Sequence, residues 1–351
     1  MFSCLSITGN DPGNNFKLKK DLMKYDAILV AGESKGSYTV CNQYKALLKL
    51  NDRYCIEYVI EALQKASSIG DIYIVGLRKR LMEALAKTRI DLNQPKKIHI
   101  LEQKSTLLEN VWHAFLESLP PLHGRKDSAI AAFVDKAVLV VPCDSPLITA
   151  HEVEHFIANC DLNRHDYILG LTPEKCMQYF YPTEHRPGIK MAYLHMREKN
   201  YRINNLHMVR PAKVEHRIHI NKMYEYRYQK QVFNMILLTI YLLRFQRLRN
   251  FSLLLGLQFS LMSAKLGLPR ITAIFKRWVP RKDLEKAISH ILNTRFTSQE
   301  IQFPGAALDI DNDASYKALE SEFEHWRSYL ADLKRNSEHI PPGLSGRTEN
   351  L

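Results

Sequence analysis

The residue best placed to do chemistry is an aspartate carried to the end of an apolar run. In VLVVPCDSPLI the run from Val138 leads to Asp144, and Pro146 then turns the chain away. A carboxylate at a strand end, with no partner in its local sequence, suits a hard dication bridging to phosphate oxygens. The same Asp-x-Pro spacing also serves a plain turn. A second group lies upstream, where DAILVAG runs into the loop GESKGS and Lys45 follows. Glycines after a buried strand let backbone N–H groups approach an anion, and a lysine adds a point charge. The loop is neither GxGxxG nor GxxxxGK[ST], so the dinucleotide and P-loop patterns are absent. Late in the chain, ALDIDNDASY offers Asp309, Asp311 and Asp313, either as a second metal carboxylate or as an N-cap at Asp311 or Asp313.

Other chemistries find less support. The six cysteines (Cys4, Cys41, Cys55, Cys143, Cys160 and Cys176) form no CxxC pair and no cluster at metal spacing, which reads as free thiols in a reducing compartment. HEVEH places His151 and His155 one helical turn apart but supplies no third ligand, so zinc is not expected.

These residues need a scaffold, and the hydrophobic pattern supplies one. DAILVAG, DIYIVG, KIHIL, AVLVVPCD and DYILGLT read as buried strands. Between them, Cys55–Ser67, LMEALAKT, LLENVWHAFLESL and Ala150–Asn159 read as helices. Strand and helix in alternation predict βαβ units on a mostly parallel sheet, with ligands gathered at the strands' C-terminal ends. The stretch GIKMAYLHMREKNYRINNLHMVRP is β-rich but irregular. Further on, VPRKDLEKAISHIL is expected to be helical, IQFPGAALDID a strand, and ASYKALESEFEHWRSYLADL a final helix.

Taken together, three segments resemble the MobA-like nucleotidyltransferases: the glycine loop with its lysine, the strand ending at Asp144, and LDIDNDASYKAL, over roughly residues 25–210 and 300–330. The resemblance implies a GT-A-like three-layer α/β/α sandwich with a helical insert before the closing strand. It also implies transfer of an NMP from an NTP to a small, commonly phosphorylated acceptor, with release of pyrophosphate. On that mapping Ala31, Gly32, Glu33 and Ser34 lie along the nucleotide, and Lys45 touches its phosphates. Asp144 and Asp311 hold Mg2+. Gln103 and Ser105, with Asn110, reach base and ribose; the alternative for Ser105 is a helix cap. Lys190, Asn204 and Asn205 meet the acceptor, bordered by Tyr181 and Arg186. The sequence departs from the family in two places. The loop lacks the usual arginine, with Lys35 nearby, and Asn312 and Asp313 stand where Thr and Pro are common.

At 351 residues, with 46% hydrophobic and 25% charged content, the chain has the size and make-up of an enzyme-sized globular body. Its division is read as an extension over 1–24, a core over 25–210, a basic apolar helical insert over 211–298, the closing strand and last helix over 299–335, and a disordered tail over 336–351. The net charge of +12 is local: Arg210 to Lys282 holds 15 Lys/Arg against Glu215 and Glu225, which argues against a general nucleic-acid surface. Two apolar runs in that insert, Val232–Leu243 and Phe251–Leu268, fall short of the roughly 20 residues that span a bilayer. They read as packed helices, or as a hairpin over residues 226–282 lying on an anionic membrane with Arg244, Arg247 and Arg249 at headgroups. With no apolar region behind a basic start, the N-terminus does not read as a secretory signal, and a cytoplasmic location, peripheral at the inner face of a membrane where the hairpin docks, is expected. Two other functions stay open: a catalytically relaxed module that binds a partner or membrane through the insert, and a GT-A glycosyltransferase.

Overall fold

A computed structural model of the chain describes residues 24–33, 40–93, 95–120, 130–220 and 251–338. The sheet is built outward from β1 (Tyr25–Ala31), whose apolar run is buried on both faces. Ala27, Leu29 and Ala31 point to one face, where they meet α1 (Cys55–Lys65) and α4 (Ala150–Asn159). Ile28 points to the other, against α3 (Leu107–Glu117) and α7 (Arg281–Leu292). The period of two along the strand thus forces helices onto both sides of the sheet.

β1 pairs in parallel with β4 (Ile69–Gly76) and β6 (Val138–Pro142), Ile28 facing Tyr73 and Val140. β5 (Ile98–Glu102) continues in parallel beyond β4. On the other side β9 (Asn200–Val209) runs antiparallel between β6 and β7 (Tyr167–Pro173), and β10 (Phe296–Glu300) lies parallel to β7. The order is β10-β7-β9-β6-β1-β4-β5, with β8 (Leu194–His195) paired to β9. The irregular β-rich stretch of the sequence is therefore β8 and β9. A small ribbon, β2 (Lys49–Leu50) with β3 (Arg53–Tyr54), stands apart. This is the expected α/β/α sandwich with a mostly parallel sheet.

Local signals account for some of the boundaries. α3 opens with a capping box in which Thr106 accepts from the Glu109 N–H and Glu109 accepts from the Thr106 N–H, so the cap is Thr106 rather than Ser105. α2 (Arg78–Leu85) begins a few residues before the expected helix LMEALAKT. The closing strand differs from expectation: β10 occupies Phe296–Glu300, and residues 301–311 form no strand. Ile301 still donates to Leu171, but Pro304 has no N–H to give and a 3-10 turn at Gly305–Ala307 carries the chain across the sheet edge. The last helix, α8 (Asp313–Glu338), starts after Asn312, whose side chain accepts from the Ser315 N–H; Asp311 and Asp313, considered as caps, do not fill that place. Its Leu319, Phe323, Trp326 and Leu330 form a separate cluster with Leu48, Leu50 and Phe180.

Within the basic segment, α5 (Phe251–Lys265) and α6 (Pro269–Lys276) form a helical hairpin. The run Val232–Leu243, with Arg244, Arg247 and Arg249, lies outside the described residues. Among the described residues no helix is long and apolar enough to cross a membrane.

Candidate active site

The C-terminal ends of β1, β4, β5 and β6 meet at one edge of the sheet. There β1 gives way to Gly32 and Glu33. A Cβ on Gly32 would stand 2.8 Å from Asn110 Nδ2 and 3.3 Å from Gln103 Oε1, so glycine leaves both side chains room to approach the strand end. The Glu33 N–H donates to Gln103 Oε1 at 2.7 Å, and Gln103 Nε2 donates back to the Glu33 carbonyl at 2.9 Å. Asn110 is buried and accepts from the Lys104 N–H at 2.5 Å. Gln103, expected at base and ribose, is thus placed as a brace of the loop itself, while Asn110, expected there too, holds the segment after β5 beside Gly32. Ser105 is exposed, and Ser34 and Lys35 lie outside the described residues.

Tyr44 locks the same loop from below. Its hydroxyl donates to the Ala31 carbonyl and lies 3.4 Å from the Leu77 N–H, which joins the ends of β1 and β4. Gly76 leaves room for it: an added Cβ would be 2.5 Å from the Tyr44 oxygen. Burial pushes the phenol well above the ordinary tyrosine range, so it stays a neutral donor. In the sequence Tyr44 stands one residue before Lys45. The signal available was a tyrosine beside that lysine and glycines ending both strands.

Lys45 opens a short 3-10 turn, and its Nζ comes within 3.5 Å of Asp144 Oδ2, although 99 residues separate them. Burial pushes the Asp144 carboxyl up to about 6; Lys45 counters this, while Asp309 and Asp311 add to it. Asp309 and Asp311 thus lie close enough to Asp144 to make its charge more costly. The Ile310 N–H donates to the Asp144 carbonyl at 2.9 Å and pins the closing segment beside β6. The second cation is Arg202 on β9, whose Nη2 lies 2.5 Å from Asp309 Oδ1 and 3.3 Å from Asp311 Oδ2. Asp309 is sealed in by this contact with a side chain 8% exposed, whereas the Asp311 side chain is 48% exposed. Arg202 went unread in the sequence because the bend that brings it to Asp309 spans 107 residues.

Behind the carboxylates lies a buried hydrogen-bonded cluster. Asn204, expected at the acceptor, is fully buried: its amide nitrogen donates to Glu152 Oε1 at 2.9 Å and to Thr172 Oγ1 at 2.8 Å. It shares the inner face of β9 with Arg202, two residues away, and points into the protein rather than the cleft. Glu152 Oε2 accepts from the Ala306 N–H at 3.0 Å, and the Ala306 carbonyl accepts from Ser145 at 3.1 Å and Asn205 at 3.0 Å. Asn205, also expected at the acceptor, holds a left-handed φ of 64° and turns its amide onto this same turn. Burial pushes Glu152 up to about 8.

Of the remaining candidates, Lys190 is exposed. The Tyr181 hydroxyl lies 2.7 Å from that of Tyr193 and 3.1 Å from Glu174. Arg186 covers the Tyr179 ring at 4.7 Å and donates to its carbonyl, which ties the loop to α8 rather than to the cleft. His151 and His155 both pack edge-on against Phe303. Among the described residues no group of three or more His, Cys, Asp or Glu is placed to hold a metal ion.

Comparison with solved structures finds similar chains. A hypothetical transferase from Thermus thermophilus is 17% identical over 82% of this chain and 97% of its own, with a TM-score of 0.49. A 4-diphosphocytidyl-2C-methyl-D-erythritol synthase from Anaerococcus prevotii is 11% identical over 86% of this chain and 99% of its own, at 0.41. A CMP:2-keto-3-deoxy-manno-octonic acid synthetase complexed with CTP is 10% identical over the same shares, also at 0.41. The curated proteins contain no match to the sequence. The profile of the MobA-like NTP transferase domain matches residues 27–204, which takes in the glycine loop, Lys45, Asp144 and Arg202. The chain belongs to the MobA-like NTP transferases, a family of nucleotidyltransferases.

Proposed function

We propose that this nucleotidyltransferase moves an NMP from an NTP to a small phosphorylated acceptor, with Mg2+ as its cofactor and pyrophosphate as the leaving group. The observation that carries this is Lys45 at 3.5 Å from Asp144, beside Asp311, at the sheet edge where β1 ends in a braced glycine loop. The donor set fits a hard cation. Asp144 and Asp311 offer oxygen alone, burial and two acidic neighbours make the Asp144 charge costly, and Asp309 is already spoken for by Arg202. When bound, Mg2+ would supply positive charge to the phosphate oxygens.

The remaining chemistry belongs to the chain. Ala31, Gly32 and Glu33 present a backbone that Tyr44 and Gln103 hold still, so no reorganisation is needed as the nucleotide settles. Lys45 places its ammonium where triphosphate oxygens gain negative charge. An acceptor phosphate oxygen bonds to the α-phosphorus in line with the breaking bond to the β-phosphate bridge, and pyrophosphate departs with that electron pair. A phosphate acceptor is already an anion, so no general base is required of the protein. Lys190, exposed and cationic, is the residue kept for the acceptor. The need for NTP and the free thiols of the buried cysteines favour a cytoplasmic setting.

A panel of NTPs with candidate sugar and polyol phosphates, read by pyrophosphate release, tests the reading. Turnover is expected with one pair at least, and Asp144→Ala should lower it by about a hundredfold or more. A wild-type chain silent with every pair would reject the activity. Full turnover in the variant would reject the metal role.

A further inference from the structure

The hairpin of α5 and α6 does more than close the fold. α5 carries apolar side chains around its circumference, interrupted by Ser252, Gln258, Ser260, Ser263 and Lys265. Its inner side packs Leu253 and Leu257 against Leu171, Tyr201 and Met196, and Leu254 reaches the main sheet cluster. The two helices are fastened to each other by Phe259 stacked on Phe275 at 4.9 Å and by Ser263 and Thr272, whose hydroxyls lie 2.9 Å apart. Gly256 lets α5 approach the start of the next segment, since a Cβ there would be 2.7 Å from Trp278. The hairpin is therefore rigidly mounted.

Its outer side is left to solvent. Phe259, Met262, Leu266, Ile271, Ile274 and Trp278 are all exposed, Leu266 by 65% and Ile274 by 55%. Single exposed apolar residues are ordinary, but a contiguous set on one hairpin marks a binding surface. The charge around it has one sign. Between Phe251 and Lys282 there is no acidic residue, while Lys265, Arg270 and Arg277 are exposed on the hairpin itself. An apolar face ringed by cations, on a helix too short to span a bilayer, matches the interface of an anionic membrane in both hydrophobicity and charge.

We propose that the α5–α6 hairpin docks the protein on an anionic lipid surface, with these apolar side chains in the acyl boundary and the cations among phosphate headgroups. The mounting sets the geometry. Leu194 pairs with Tyr201, and the Arg197 N–H donates to the Val279 carbonyl at 2.9 Å, so the hairpin is joined to the end of β9 that carries Arg202. Docking would hold the carboxylate edge of the sheet close to the membrane.

The test is sedimentation of the full chain with vesicles of phosphatidylcholine alone and of equal parts phosphatidylcholine and phosphatidylglycerol. Binding is expected only to the second and should weaken as salt is raised. Leu266→Ser with Ile274→Ser, and separately Arg270→Glu with Arg277→Glu, should each lower partitioning by about tenfold or more, with unchanged thermal melting because all four side chains are exposed. If either pair disturbs folding, quenching of Trp278 by brominated lipid in the unmodified chain, measured against Trp278→Phe, decides instead. No binding, equal binding to both vesicles, or full binding by both double variants would overturn the proposal. So would a wild-type dimer that the Ser variants dissolve, without lipid binding, because a second copy would then cover the face.

Discussion

Glu152 touches no part of the candidate transfer centre, yet it fixes where that centre's aspartates stand. It accepts from the Ala306 N–H and from Asn204, and its folded-state pKa of about 8 lies above the roughly 4.3 of a free glutamate. Between those values the folded protein holds a proton that the unfolded chain has released. The Glu152 contribution to stability is thus fully present below the unfolded value, declines as pH rises toward 8, and levels off beyond it. Chemical denaturation across this range should show the decline, and Glu152→Gln should flatten it; an unaltered slope in the variant would place the titration elsewhere. Lys45 poses a different test. Lys45→Met keeps the stem and removes the charge, so kcat for pyrophosphate release should fall by about a hundredfold while melting changes little. The sequence offered Asp144 because it follows a strand with a proline turn after it, and Lys45 because it follows the glycine loop after β1. It hid Arg202 and Tyr44. Nothing local to Arg202 marks its partner, and only the fold brings it to Asp309.

Strands and helices of the core were legible because their apolar periods are clean, as in β1, whose residues alternate between α1 and α3. The segment after β10 was not. IQFPGAALDID is apolar enough for a strand, but its proline and glycine serve a turn that must pass under α4. Gly305 is the tight point, where an added Cβ would stand 2.3 Å from the Leu147 carbonyl oxygen and 2.7 Å from Glu152 Oε2. Neither atom belongs to a flexible side-chain end with space to retreat. Gly305→Ala is therefore expected to destabilise the protein by about 2 kcal/mol or more and to displace Asp309 and Asp311. A melting curve and a pyrophosphate assay on the same sample would check both; wild-type values in the two would contradict the packing. Asn204 and Asn205 lie in a strand that reads as polar, and they look available to a ligand until the turn at Ala306 is seen to occupy them.

At the scale of the whole molecule, α8 caps the edge of the sheet that carries the carboxylates. Trp326 is fully buried against Phe180, with ring centroids 5.3 Å apart, in a cluster separate from the main core. Trp326→Ala should cost about 3–5 kcal/mol. Because that cluster also holds Ile310, activity should fall at temperatures where most of the chain is still folded. Amide exchange resolved along the chain would reveal early opening of 305–338, and uniform opening would refute it. The contacts that complete the centre reach far along the sequence: Lys45 to Asp144 over 99 residues, Arg202 to Asp309 over 107, and Cys41 to Asp313 over 272. Loops of that length are closed late, after local strands and helices have formed. On the ribosome, β1 through β9 can assemble a sheet while Asp311 is still unsynthesised. A chain cut short before Asp309 would then hold most of the sheet while lacking both partners of Arg202, so the proposed centre is completed only after the sheet that carries it.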